Sequence, residues 1–257
     1  TELHATDISP SDADLKIVTS KHRPKKYPVI TTAHHYQKES RHRWIYALSI
    51  NNIPVEKNVS PGIVEVRSAY QEFIGTGFYN PDSAIAVRIF SWEAGEADTA
   101  FWTKRLEQCV ALRRQMAALK NTNAWRAINS DSDGFPGLVI DKYNDSLVIE
   151  FHIAGAKSLS WMLKAVLPTL FPEVKYLVTK VNKTYQSVED LDDTSAEMQG
   201  DLRVEVHVVG QTQQQKLPEE TTNYLRHVPI VENGLTFTVN LLDSQKTGFY
   251  LDQRDSR

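Results

Sequence analysis

Short runs of β-branched and aromatic residues recur through the first hundred residues of the chain. The clearest runs cover residues 63–66, 72–74 and 84–90. They are separated by Pro61-Gly62, by Gly75 and Gly77, and by Asn80-Pro81-Asp82, all of which favour turns. Strands joined by tight turns predict a small β-barrel, which we place at residues 29–95. Residues 1–28 lack this pattern and contain Pro10, Pro24 and Pro28, which predicts a flexible extension.

Two helices are predicted after this unit. Asp98 is placed to cap the first helix, which we expect to run to about Lys120 with one apolar stripe. The second helix spans residues 159–170, where apolar residues are spaced by three and four and Pro172 marks the end. The stripe of the first helix consists of Trp102, Leu106, Cys109, Val110 and Met116.

Strand-like segments alternate with these helices. They cover residues 126–129, 137–141, 147–152, 176–179, 202–209 and 235–241. The mixture predicts an α+β domain in which helices pack on an antiparallel or mixed sheet. We place this central domain at residues 96–234 and a further segment at residues 235–257.

Composition narrows the class of protein. A chain of 257 residues with one cysteine is not a disulfide-stapled secreted module. No segment approaches the roughly 20 apolar residues that a membrane-spanning helix needs. The formal net charge of −3 opposes a uniformly basic nucleic-acid binder. Basic residues are nevertheless concentrated at residues 21–43, while residues 187–201 carry acids without any Lys or Arg, so a local site for a polyanion stays open.

The main candidate for contact with nucleic acid lies at residues 38–46. Lys38, Arg41 and Arg43 could meet phosphates, and Trp44 offers a stacking face for a base. Trp44 and Tyr46 alternate with polar neighbours, however, so a place in the protein core is the alternative. The segment by itself leaves both interpretations open.

Closely spaced carboxylates at Asp131, Asp133 and Asp141 raise the question of a metal or acid/base site. The spacing of an EF-hand is absent, and the run Gly134-Phe135-Pro136-Gly137 is typical of a constrained turn into a buried strand. We therefore predict a structural role for these carboxylates and no metal site. Cys109 lies on an apolar stripe with no motif around it, which predicts a buried structural cysteine.

Four segments, taken in order, carry a resemblance to one family. They are Arg41-His42-Arg43-Trp44, residues 75–83 (GTGFYNPDS), residues 133–141 (DGFPGLVID) and residues 246–254 (KTGFYLDQR). The chain resembles the bacterial 23S ribosomal RNA cytosine-C5 methyltransferases, which combine an N-terminal PUA domain, a small α+β central domain and a C-terminal methyltransferase domain of Rossmann type. The resemblance runs from about Val29 to Arg257, and its last motif is the most specific.

The resemblance implies a PUA-like domain at residues 29–95 and the start of the methyltransferase domain at residues 235–257. It implies S-adenosyl-L-methionine (SAM) as the cofactor, with a pocket lined or supported by Lys246, Tyr250, Asp252, Gln253 and Arg254. Chemically, Lys246 and Arg254 suit a carboxylate or phosphate, and Asp252 suits a cation. The same groups could instead be mutual salt-bridge partners, and both interpretations stay open.

The chain departs from this family in two ways. Residues 187–201 are more acidic than the family pattern leads us to expect, and family members continue past the position of Arg257. The glycine-rich SAM loop, the Asp-Pro-Pro motif and the cysteine motif of the catalytic domain are not found in the 257 residues. We therefore assign no catalytic residue, expect the nucleophilic cysteine beyond Arg257, and expect the chain alone not to methylate RNA.

The leading hypothesis is that the chain holds the RNA-recognition part of a SAM-dependent methyltransferase acting on rRNA at cytosine C5. The alternative is a non-catalytic RNA-binding adaptor with the same two domains. A third hypothesis is a metal-dependent hydrolase built on Asp131, Asp133 and Asp141. The expected partner is rRNA, with no membrane and with a homodimer left open. The expected location is the cytoplasm, with an organelle matrix as the alternative.

Overall fold

The computed structural model describes residues 27–33, 42–52, 62–182, 197–199, 202–211, 217–244 and 246–256. The predicted extension at residues 1–28 lies almost wholly outside these ranges, as do Lys38, Arg41 and most of the acidic stretch at residues 187–201.

The described residues of the first unit form a six-stranded sheet. Its strands are β1 (Val29–Thr32), β2 (Trp44–Ile45), β3 (Ile50–Asn52), β4 (Gly62–Arg67), β5 (Phe73–Tyr79) and β6 (Val87–Ser91). They lie in the order β2-β6-β5-β4-β1-β3, with β1 and β4 parallel and the other pairs antiparallel. Inward-facing Ile30, Val64, Val66, Val87 and Ile89 form its core, because alternate residues of a strand point to the same face. The run predicted at residues 63–66 is confirmed as part of β4, and the run predicted at residues 84–90 is confirmed from Val87 onward, where β6 begins.

The turn predicted at Gly75 and Gly77 is wrong, because both glycines lie inside β5. A Cβ at Gly75 would fall 2.7 Å from the carbonyl oxygen of Ser91, and one at Gly77 would fall 2.7 Å from that of Arg88. Both carbonyls belong to β6. Glycine at these two positions therefore allows β5 and β6 to approach each other closely. In the sequence, a pair of glycines with this role looks the same as a pair that forms a turn.

The second unit is an α+β domain, as predicted. Helix α1 (Thr99–Gln115) begins where the Asp98 side chain accepts a 2.8 Å hydrogen bond from the Phe101 backbone N–H. It ends earlier than predicted, since Met116 takes an extended backbone conformation and a short 3-10 turn follows. The remaining elements up to the last sheet strand are β7 (Ala124–Asn129), β8 (Leu138–Tyr143), β9 (Ser146–Phe151), α2 (Ala154–Lys157), α3 (Ser160–Leu170), β10 (Tyr176–Asn182), β11 (Glu197–Gln199) and β12 (Leu202–Val208).

These strands form a mixed sheet in the order β11-β12-β10-β9-β8-β7, in which only β9 and β10 run parallel among the described strands. One face packs against α1 and α3. The other face is covered by α4 (Glu219–Arg226), by the hairpin of β13 (Val228–Glu232) and β14 (Leu235–Val239), and by Leu241, Leu242, Phe249 and Leu251. The sheet is therefore buried on both faces, which matches the near-continuous apolar composition of β8 and β9.

The sequence left α4 and β13 unassigned. Leu225 is the only buried residue of α4. The sequence of α4 therefore shows little of the apolar stripe from which a helix is predicted. The predicted domain division at residues 234 and 235 falls in the turn between β13 and β14; the division itself stays a prediction.

The two units share a hydrophobic core. The ring of Phe78 on β5 stacks on Trp102 of α1, with centroids 5.7 Å apart and an interplanar angle of 5°. Phe78 also packs on the backbone of α2, where a Cβ at Gly155 would fall 2.5 Å from the Phe78 Cγ. This packing sets how the sheet of the first unit sits on the second.

Within the described residues, no helix is long and apolar enough to cross a membrane.

Candidate functional site

The segment that follows β14 is held on the central sheet by buried polar groups. Asp141 and Tyr143 lie two residues apart on β8 and therefore point to the same face. The Thr247 hydroxyl donates to Asp141 Oδ2 at 2.6 Å and lies 3.0 Å from the Tyr143 hydroxyl. The Phe249 N–H in turn donates to the Tyr143 oxygen at 3.2 Å. This chain of hydrogen bonds connects a sheet strand to the motif at residues 246–254.

Arg126 forms a bidentate ion pair with the buried carboxylate of Asp141. Its Nε lies 2.9 Å from Asp141 Oδ1, and its second terminal nitrogen donates to Oδ2 at 3.0 Å. Asp141 is fully buried, and a buried carboxylate without such a bidentate partner is strongly destabilising. The hydrogen bond to Asp141 raises the pKa of Arg126. Burial, and then the charge of Asp141, raise the pKa of Tyr143, so that its hydroxyl stays protonated.

Lys180 on β10 holds the start of the same segment. The side chain is fully buried, and Nζ donates to the carbonyl oxygens of Ser244 at 3.2 Å and Lys246 at 3.0 Å. Burial lowers the pKa of Lys180 to about 8, against the opposing charges of Glu150 and Asp243. A buried lysine bonded to two carbonyls acts as a clamp on the backbone that leads into the motif.

The predicted cofactor residues fall into two groups. Lys246 and Tyr250 are exposed and contact each other, with Nζ 4.7 Å from the ring centroid. Asp252 and Arg254 line a cleft of about 420 Å³, here called the terminal cleft, and Gln253 is exposed beside it. The other walls of the terminal cleft are Leu112, Arg113, Met116, Leu119, Ala124, Trp125, Arg126, Asn129, Asp133 and Leu251.

Arg254 is the least exposed of the five predicted cofactor residues that line or flank this cleft. Its side chain is 11% exposed, it donates to the carbonyl oxygen of Ala118, and its Nε lies 3.4 Å from Glu232 Oε1. Within the described residues, Nε and the second terminal nitrogen have no hydrogen-bond acceptor. The ion pair of Arg254 is with Glu232, which lies outside the predicted set, so the interpretation of the set as mutual salt-bridge partners stays a prediction.

The predicted RNA-binding residues that the structure describes lie at the junction of the two units. Arg43 donates to the carbonyl oxygen of Ile89 at 3.1 Å and lies over the ring of Trp92, with Cζ 5.8 Å from its centroid. The Trp44 indole N–H donates to Asp131 Oδ1 across the junction at 3.3 Å. Trp44 thus fixes the contact between the units, and its role toward RNA stays a prediction.

The three carboxylates considered for a metal site are engaged by protein groups. Asp131 accepts from Trp44, Asp133 takes two bonds of 2.6 and 3.1 Å from Arg113, and Asp141 is held as described above. Among the described residues, no group of three or more His, Cys, Asp or Glu could hold a metal ion. Asp131 and Asp133 lie in a 3-10 turn that ends at Gly134 with φ of 75°. The predicted constrained turn into a buried strand is confirmed.

Cys109 is buried, as predicted for a structural cysteine. Burial, together with the charge of Asp133, raises the pKa of its thiol. A thiolate is therefore disfavoured at this position, and Cys109 is poorly suited to act as a nucleophile.

Sequence reasoning missed three residues that position the motif, namely Arg126, Tyr143 and Lys180. It also missed Arg105, whose guanidinium donates to the carbonyl oxygens of Phe90 at 2.8 Å and Gly134 at 2.7 Å. A signal for some of them was present. Polar or ionisable residues inside otherwise apolar strands, such as Asp141, Tyr143 and Lys180, are expected to have a specific partner.

Comparison with known proteins gives a family match for the first unit. A model of a PUA-like domain matches residues 30–92. Among the curated proteins, ribosomal RNA large subunit methyltransferase I of Photobacterium profundum is 32% identical over 218 residues, and that of Vibrio cholerae is 31% identical over 217. Each alignment covers 84% of this chain and 49% of the relative.

Solved structures show the same fold. A chain of Streptococcus mutans assigned as a SAM-dependent methyltransferase aligns with a TM-score of 0.64 at 20% identity, covering 89% of this chain and 52% of that one. A methyltransferase solved in complex with SAH aligns with a TM-score of 0.64 at 17% identity. The chain spans about half the length of the curated relatives it matches. Residues 30–92 are thus a PUA-like domain, in a chain that shares its fold with part of larger methyltransferases.

Proposed function

We propose that this chain is the RNA-recognition part of a SAM-dependent RNA methyltransferase that acts on large-subunit rRNA at cytosine C5. The observation that carries the proposal is the similarity over 84% of the chain to ribosomal RNA large subunit methyltransferases. The reaction takes place where ribosomal RNA is present, which is the cytoplasm or an organelle matrix.

The PUA-like domain supplies contacts to RNA in this proposal. Arg43 is half-buried beside Trp92, so its guanidinium is held in place while it presents a positive charge. Arginine suits the phosphate oxygens of RNA because its planar group donates several hydrogen bonds at once. Lys38 and Arg41, which lie outside the described residues, extend the same basic segment.

The segment at residues 246–254 contributes to the SAM pocket in this proposal. The amino acid part of SAM carries a carboxylate and an ammonium group. The guanidinium of Arg254, which lines the terminal cleft, suits the carboxylate, and the exposed carboxylate of Asp252 suits the ammonium group. Lys246, Tyr250 and Gln253 flank them on the same segment. When bound, SAM supplies the methyl group for transfer.

Methylation of cytosine at C5 requires a thiolate that first adds to C6, because this addition makes C5 nucleophilic. The raised pKa and burial of Cys109 argue against that role for it. In the proposal, Asp141, Tyr143 and Lys180 do not react but hold the segment that carries the cofactor residues.

The proposal is tested in a strain from which the gene has been deleted. Mass spectrometry of nuclease digests of its large-subunit rRNA should show one fragment that lacks 5-methylcytidine, and the complete gene should restore it. Unchanged methylation would overturn the methyltransferase proposal and favour an RNA-binding adaptor.

The cofactor residues need a separate test on the complete gene product. Titration calorimetry should show that Asp252→Ala weakens SAM binding. Glu107→Ala is the matched control, because Glu107 is exposed on α1 and lies outside the terminal cleft. Equal SAM affinity of both variants would remove Asp252 from the proposed pocket.

A further inference from the structure

A groove runs between β6 of the PUA-like sheet and helix α1, here called the junction groove. Its volume is about 470 Å³, and its walls include Arg43, Trp92, Phe101, Arg105, Gln108 and Gly134. It lies where the two units meet, so its shape depends on the shared core around Phe78 and Trp102.

Two guanidinium groups converge on the junction groove. Arg43 and Arg105 both line it, and burial, followed by the positive charge of Arg43, lowers the pKa of Arg105. Within the part of the chain that the structure describes, two acidic residues line the groove: Asp133 is already paired with Arg113, and Glu93 is exposed. The described hydrogen bonds of Arg43 and Arg105 go to backbone carbonyls, which carry no net charge. The two positive charges therefore repel each other, and an anion between them would relieve the repulsion.

Aromatic rings lie beside both arginines. Arg43 lies over Trp92, and the Arg105 Cζ is 4.3 Å from the centroid of Phe101. Phe101 is also packed against Trp102, with centroids 4.9 Å apart, and Trp92 is partly exposed at the wall of the groove. Unpaired bases stack on aromatic rings and on guanidinium planes, and their phosphates bind arginine.

The junction groove adjoins the terminal cleft. Leu112 and Asp133 line both of them, and α1 forms a wall of each. Arg105 lines the junction groove, and Arg113 lines the terminal cleft. The two residues lie roughly 12 Å apart along α1, because each residue of an α-helix adds a fixed rise. A ligand in the junction groove can therefore extend along α1 toward Asp252 and Arg254.

We propose that the junction groove binds a single-stranded segment of RNA, with one phosphate between Arg43 and Arg105 and one unpaired base against Trp92. The strand then follows α1 toward the terminal cleft. A concave site with two lining arginines suits one or two nucleotides, whereas duplex RNA is recognised across a wide and shallow surface. This inference rests on the proposed function for the identity of the ligand as RNA.

The test measures binding of the full chain to a single-stranded fragment of large-subunit rRNA by fluorescence anisotropy over a range of salt concentrations. Arg43→Ala should weaken binding and reduce the slope of log affinity against log salt by roughly 0.7, as expected for one lost phosphate contact to a single strand. Trp92→Ala should weaken binding by roughly tenfold with little change in slope.

Two matched controls are available in the chain. Lys104→Ala removes a positive charge next to Arg105 from an exposed position of α1 outside the groove. Trp161→Ala removes a tryptophan that is 56% exposed on α3, also outside the groove. Both controls should bind RNA like the unmodified chain.

Photo-crosslinking of unmodified chain to RNA that contains 4-thiouridine provides evidence that does not depend on the folding of any variant. Crosslinks in the peptide that contains Trp92 and Phe101 would support the proposal. Crosslinks confined to other peptides would overturn it, as would unchanged affinity of the Arg43 and Trp92 variants or equal affinity for the same sequence as a duplex.

The two proposals can fail separately. If the unmodified chain binds no RNA, the junction groove proposal is overturned, while the methylation of rRNA in the deletion strain still decides the proposed function. If methylation is lost in that strain and the groove variants bind normally, the enzyme proposal stands and the binding site lies elsewhere.

Discussion

The Thr247 hydroxyl donates a 2.6 Å hydrogen bond to Asp141 Oδ2, although the two residues are 106 positions apart in the chain. Both groups are buried, and the same hydroxyl lies 3.0 Å from the Tyr143 oxygen. The motif at residues 246–254 is therefore held on the central sheet by a hydrogen bond to a charged group, which is stronger than one between neutral groups. Contacts in the sheet thus determine where the proposed cofactor residues lie.

Thr247→Val should lower the free energy of unfolding by about 1–3 kcal/mol, because it leaves a buried acceptor on Asp141 and the Tyr143 hydroxyl without this partner. Urea denaturation measures the loss, and hydrogen exchange should show faster exchange at the Phe249 amide. Thr247→Ser keeps the hydroxyl and is the control. Equal stability of the two variants would mean that the hydroxyl has no such role.

The stability contributed by Lys180 should depend on pH. Its pKa is about 8 in the folded chain, below the ordinary value of 10.5, so between these pH values the unfolded chain binds more protons than the folded one. The free energy of unfolding therefore rises with pH across this window, with a slope from this group of at most about 1.4 kcal/mol per pH unit.

Comparison with Lys180→Met isolates this effect, because the other titrating groups are common to both proteins. The stability of the unmodified chain minus that of the variant should increase from pH 8 to pH 10.5, as measured by urea denaturation. Lys104→Met serves as a control for the removal of a lysine. A difference that stays constant or falls with pH would contradict the buried lysine clamp.

Gly155→Ala should destabilise the junction between the two units. The added Cβ would fall 2.5 Å from Phe78 Cγ, and such overpacking costs about 1–3 kcal/mol. Thermal unfolding measures the change. Gly95→Ala is the matched control, because nothing lies within 4 Å of a Cβ at that position. Similar melting temperatures for both variants would show that Phe78 moves aside without cost.

Cys109 should react slowly with disulfide reagents such as DTNB in the folded chain. Its pKa is raised by burial and by Asp133, so the reactive thiolate is scarce at neutral pH and the reagent has little access. The rate should be at least roughly tenfold lower than in urea-unfolded chain. Rapid labelling of the folded chain at neutral pH would contradict the structural role and reopen that of a nucleophile.

Local features of the fold could be predicted because their causes lie within a few residues. The Asp98 cap and the apolar spacing of α1 are set by neighbours three and four positions away, and the strand runs of the PUA-like sheet by alternation along each strand. The turn at Gly134-Phe135-Pro136-Gly137 can be predicted for the same reason, since Gly134 and Gly137 provide positive φ where the chain reverses.

Other features depended on which distant segments meet. Gly75 and Gly77 look like a turn in the sequence, but they lie in β5 because β6 packs closely against them. The motif resemblance pointed to residues 246–254, yet nothing in their spacing shows that Asp141, Tyr143 and Lys180 hold that segment.

The sequence by itself determined the α+β class, the two main helices and the basic-aromatic segment around Arg43, since these follow from composition and local periodicity. Only the tertiary structure brought Arg43 and Arg105 to one groove and placed that groove against the terminal cleft. The physical reason is that such neighbours come from different strands and helices, and the packing of Phe78 on Trp102 and Gly155 decides how those elements are arranged.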